Sequence, residues 1–86
     1  MSTAVKADAR VRRAEVTSHL ITFFLMDGRV VSAPLAWSWR LANATPAQRR
    51  NYEIIGDGEG VHWPDVDEDL SVAGMFNGVP ARNQKR

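Results

Sequence analysis

His62 stands in the run Gly60-Val61-His62-Trp63-Pro64-Asp65-Val66-Asp67-Glu68-Asp69-Leu70, followed within seven residues by four carboxylates. An imidazole beside an acid can work as a general base, with Asp65 or Asp67 orienting the ring. The alternative is structural: a histidine that bonds the backbone of the loop at 56–60 and locks it. Neighbouring residues of a strand point to opposite faces, so Trp63 faces the core if His62 does not. The structural role is the one expected for His62, Trp63 and Pro64. The alternating Asp65, Asp67 and Asp69 open like a calcium-binding loop. Such a loop needs glycine at its sixth position and a bidentate glutamate at its twelfth. Leu70 and Phe76 stand there instead. The charges of Asp65, Asp67, Glu68 and Asp69 are therefore read as the start of a helix, where the macrodipole favours anions. Two distant histidines and no cysteine argue against zinc.

Arginines are the second candidate group. Arg49 and Arg50, with Arg10, Arg12 and Arg13, could form a basic patch, and a nearby Trp39 could stack a base. The plain alternative is a solvated helix face and a strand edge protected by charge. With eleven basic and ten acidic side chains the net charge is only +1, which favours the plain alternative. There is no glycine-rich phosphate loop, and Ser18, Ser32, Ser38 and Ser71 lack a nucleophile-elbow context. No residue is assigned a catalytic, cofactor-binding or metal-binding role.

The elements that must position these side chains belong to a single domain. A chain of 86 residues buries roughly 60–65% of its unfolded surface, which leaves little room for an enclosed pocket. The absence of cysteine excludes disulfides. No apolar run has the length of a signal peptide or a membrane span, so a soluble cytoplasmic protein is expected. Residues 1–7 are expected to be a flexible N-terminus, 8–78 the domain and 79–86 a polar, basic tail.

Residues 8–16 alternate imperfectly and suit an edge strand. Residues 20–26 are apolar on both faces except for Thr22, as in a central strand. Asp27-Gly28 predicts a two-residue type I′ hairpin turn with positive φ at both positions, returning through residues 29–33 to Pro34. The spacing of Trp37, Leu41 and Ala44 predicts a helix over 35–44, with Trp39 and Arg40 off its apolar face. Thr45-Pro46-Ala47-Gln48 predicts a capped start for a second helix, running to Ile55 and stopped by Gly56. A strand at 61–63 ends at Pro64, and a third helix runs from the acidic residues to Asn77-Gly78. The class is α+β: a three- to four-stranded antiparallel sheet with two to three flanking helices.

Three segments resemble a bacterial family called domain of unknown function 2442. They are Phe24 to Val31, then Trp37, Leu41 and Thr45 to Glu53, and finally Gly60 to Val72. The resemblance covers residues 8–78, and its last segment is the most specific. It implies an α+β fold and no established activity. Some members resemble the partner halves of two-gene modules thought to be toxin–antitoxin pairs. Others carry a further helix-turn-helix domain, for which this chain is too short. The expected function is a small non-enzymatic, regulatory or antitoxin-like module binding a protein partner. Trp39, Arg40 and the acidic residues 65–69 are its candidate contacts. A nucleic-acid-binding regulator using the arginines is the first alternative, and a phage or mobile-element inhibitor docking on a host nucleic-acid enzyme is the second. No membrane partner is expected, and a homodimer is left open.

Overall fold

A computed structural model describes residues 6–78. The expected N-terminal segment 1–7 lies mostly outside these residues, and the tail 79–86 wholly so. The elements are β1 (Val11–Val16), β2 (Leu20–Leu25), β3 (Val30–Pro34), a 3-10 turn (Leu35–Trp37), α1 (Trp39–Ala42), α2 (Pro46–Arg50), β4 (Glu53–Ile55), β5 (Gly60–Trp63), β6 (Glu68–Ser71) and α3 (Val72–Asn77). The class is α+β and every strand pair is antiparallel. The strands form two sheets of three, in the orders β1-β2-β3 and β4-β5-β6.

β2 is central to the first sheet, as its apolar sequence requires. Ile21, Phe23 and Leu25 are wholly buried, and they meet Ala33 of β3 and Val11 and Ala14 of β1 in one core. The core continues through Leu41 of α1, Val61 and Trp63 of β5, Leu70 of β6, and Val72 and Met75 of α3. On the opposite face Arg13 lies over the Phe24 ring, its guanidinium carbon 3.8 Å from the centroid. Thr22 and Ser32 share a hydroxyl hydrogen bond of 2.7 Å across the same face.

The β2–β3 turn differs from the two-residue type I′ form. The Gly28 N–H donates to the Leu25 carbonyl, and the Leu25 N–H donates to the Arg29 carbonyl, which closes a three-residue loop over Met26, Asp27 and Gly28. Only Gly28 has positive φ, at +96°. This is the pattern of a hairpin loop ending in a left-handed glycine. Asp27 is freed to work as a clamp: its carboxylate accepts from the Arg29 guanidinium and from the backbone N–H groups of Asp8 and Arg29. Those donors, Arg29 first, hold its carboxyl far below the usual range. A side chain at position 28 would meet open space, so only backbone strain opposes it. Gly28→Val should therefore lower stability by more than about 1 kcal/mol, measured by urea unfolding. An unchanged midpoint would show that the left-handed conformation is not needed.

Three helical expectations are corrected. The helix over 35–44 is two pieces, because Ser38 adopts extended backbone (φ −129°, ψ 101°) and caps α1 by accepting from the Leu41 N–H. The second helix starts as expected: the Thr45 and Gln48 side chains form a reciprocal capping box, with Pro46 in the first turn. It ends at Arg50 rather than Ile55, and Glu53-Ile54-Ile55 pairs with β5 instead. β-branched side chains suit that pairing. The acidic residues do not start a helix. Residues 64–67 turn, with Asp67 at φ +54°, and Glu68 to Ser71 pair with Trp63 to Gly60. The last helix begins only at Val72, capped by Ser71, whose hydroxyl accepts from the Gly74 N–H.

Candidate functional site

β1 is an outer strand of its sheet, so one of its edges has no strand partner. In an antiparallel ladder alternate residues turn their N–H and C=O toward the same neighbour. The Thr17 N–H donates to Leu20 of β2, while the Ala14 N–H points the other way and donates to the Tyr52 hydroxyl at 3.2 Å. Ala14 and Val16 therefore aim their peptide groups at the open edge. Further along, the Val11 N–H donates to Gly58 of the β4–β5 turn, so the second sheet covers the start of the strand. Beyond Ala14 no described residue bonds this edge.

A groove of about 640 Å³ runs along it. Residues 13–18 form one wall, and Pro46, Arg49, Arg50 and Tyr52 form the other. The capping box and Pro46 place the second wall, since they fix where α2 begins. Arg49 is anchored: its guanidinium donates to the carbonyls of Leu41 (2.9 Å) and Ala42 (3.1 Å), satisfying the end of α1. Its own carbonyl accepts from the Trp63 indole N–H at 3.1 Å. The Arg50 guanidinium has no hydrogen-bond or ion-pair partner among the described residues.

The acidic run is dispersed. Asp65 accepts from the Asn51 amide at 3.0 Å. The Arg40 guanidinium donates to the Asp67 carbonyl and stands 3.8 Å from its carboxylate. Glu68, expected at an interaction surface, is buried. One of its oxygens accepts from the Ser38 hydroxyl at 2.5 Å and the other from the Asp69 N–H at 3.1 Å. Asp69 is 2.5 Å from Nδ1 of His62.

His62 thus pairs with Asp69 across the β5–β6 ladder. It does not bond the loop at 56–60, and neither Asp65 nor Asp67 orients it. The Asp69 hydrogen bond, aided by nearby charges including Glu53, holds the imidazole above its usual pKa of 6.5. A raised folded-state value means that the stabilisation is complete below about pH 6.5 and is lost as pH rises through the folded-state pKa. The melting temperature should accordingly fall across that interval in the native chain and stay flat in His62→Gln. A parallel fall in the variant would remove His62 as the source.

Residues 11–81 match a family described as "Protein of unknown function (DUF2442)". The chain belongs to this family. It is similar to a crystal structure of a protein of unknown function from Rhodospirillum rubrum, at 29% identity and a TM-score of 0.72, over 86% of this chain and 92% of that one. It is also similar to a solution structure of an uncharacterized protein from Chromobacterium violaceum, at 27% identity and a TM-score of 0.72, over 87% and 71% of the two chains. No curated protein matches it.

In this DUF2442 chain the candidate residues fall into separate places. Arg13, Arg49 and Arg50 share the β1–α2 groove, whereas Arg10 is paired with Asp8 and Trp39 lies elsewhere. Trp39, exposed as expected, shares a hollow of about 420 Å³ with Arg40, Asn43, Val66 and Asp67. Trp63 is wholly buried, and Pro64 begins the turn after β5. Sequence reasoning missed the Tyr52 hydroxyl, whose partner is 38 residues away, and the Ser38–Glu68 pair. Ser38 carried one readable signal, a serine three residues before the buried Leu41. No helix among the described residues is long and apolar enough to cross a membrane.

Proposed function

We propose that this DUF2442 chain is a non-enzymatic, regulatory protein-binding module of the bacterial cytoplasm. It takes an extended segment of a protein partner along the free edge of β1. The observation that carries this reading is the outward-facing peptide unit of Val16, which no described residue bonds, beside an Ala14 whose N–H is held by the Tyr52 hydroxyl, along a groove walled by α2. An unpaired edge is a template for another strand, and main-chain hydrogen bonds supply the affinity. An antitoxin-like role is one form of this activity, with the partner's segment held in the groove. Trp39 and its hollow provide a second contact for the rest of the partner.

The test is selection of displayed random peptides against the folded protein, followed by binding of the enriched peptides to Val16→Pro. Proline removes the outward N–H, and an edge position tolerates it. Loss of binding in a variant that melts like the native chain is expected. Undiminished binding to Val16→Pro, or no enrichment at all, overturns the reading. Nucleic-acid binding is the weaker alternative, since Trp39 is outside the groove and the net charge is only +1. It would be revealed by steeply salt-dependent binding to mixed DNA.

A further inference from the structure

Resting on that groove reading, we infer that the segment added to β1 is acidic, and that Arg13 and Arg50 select it from opposite walls. The groove gathers Arg13, Arg49 and Arg50 against a single carboxylate, Glu15, in a chain whose total net charge is only +1. Charge is therefore concentrated here well beyond the molecular average. The Arg13 guanidinium is engaged by the Phe24 ring face, which leaves its N–H donors for a ligand. Arg50 has no partner among the described residues. Arg49 spends two donors on the end of α1, and this fixes its cation in place.

Arginine presents a rigid fork of donors suited to carboxylates, and these forks stand on both sides of one extended path. In a strand, successive side chains point to opposite faces. Alternate side chains of the added segment would therefore share the sheet face on which Arg13 stands. α2 bounds the groove opposite β1, which favours a single added segment over the sheet edge of a second copy.

The probes are three seven-residue peptides with a common valine framework and Asp/Glu, Asn/Gln or Lys at the variable positions, with a ten-nucleotide single-stranded DNA as a fourth. Binding is followed by amide chemical shifts and by affinity at two salt concentrations. The acidic peptide is expected to bind best, to shift Ala14, Val16 and Arg50, and to weaken with salt. Arg50→Gln and Arg13→Gln are each expected to weaken it about fivefold. Equal binding of the neutral peptide, abolished by Val16→Pro, overturns the acidic preference and leaves the edge reading standing. If no peptide shifts the β1 amides, both readings fail. Tighter binding of the DNA overturns the inference in favour of a phosphate ligand.

Discussion

Trp63→Ala is expected to cost about 3–5 kcal/mol and to leave much of the protein unfolded at physiological temperature. A domain of this length has a total stability of roughly 4–13 kcal/mol, so such a loss removes a large share. Trp63 is the largest of the fully buried side chains. Its ring lies 6.3 Å from that of Tyr52, tilted by 52°, and its indole N–H holds the Arg49 carbonyl. One side chain thereby joins β5 to the end of α2 and to the residue whose hydroxyl meets β1. Trp63→Phe keeps most of the apolar area and loses the hydrogen bond, so it should cost about 1–2 kcal/mol. Urea unfolding of both variants checks this. A loss below 1 kcal/mol for Trp63→Ala would mean that the site refills and that the tryptophan does not hold the sheets together.

The second large effect belongs to Ser38, which no functional reading of the sequence singled out. Ser38 is wholly buried, and its hydroxyl does two things: it accepts from the Leu41 N–H at 3.1 Å and donates to Glu68 at 2.5 Å. Ser38→Ala removes a helix cap, worth about 1 kcal/mol. It also strips a donor from a buried carboxyl group, which costs about 1–3 kcal/mol more. The expected loss is about 3 kcal/mol. Glu68→Gln retains an acceptor for Ser38 and should cost less. In the double-mutant cycle the two losses should fall short of additive, because both variants act on the same hydrogen bond. Strictly additive losses would show that Ser38 and Glu68 stabilise the fold independently.

The two sites differ in how they could be read. Trp63 was legible as an anchor because a short strand bounded by Pro64 needs one large buried side chain. The same reasoning placed His62 on the other face, and it is half-exposed there. Its partner was not legible, because Asp69 becomes a neighbour only when β6 folds back on β5. The acidic run is ambiguous in sequence because carboxylates crowd helix starts and strand turns alike. The deciding feature is the left-handed Asp67, which turns the chain back before a helix can begin. In sequence Glu53-Ile54-Ile55 continues the helical pattern of α2, yet it forms a strand. Pairing with β5 gives these backbone groups partners within a sheet that also buries Val61 and Trp63.

By itself the sequence determined what is settled within about four residues. The Thr45–Gln48 capping box, the left-handed glycine after Asp27, the doubly apolar β2 and the α+β class all follow from local chemistry and side-chain periodicity. Tertiary structure decided the division into two sheets, the burial of Glu68 and the separate partners of the acidic residues. It also decided the meeting of β1 and α2 that makes the groove. Each of these depends on groups distant in sequence: Ser38 with Glu68, Arg40 with Asp67, and Ala14 with Tyr52. The physical reason is that a cap or turn satisfies backbone groups close at hand. A carboxyl group or an open strand edge takes its character from whatever the folded chain brings beside it.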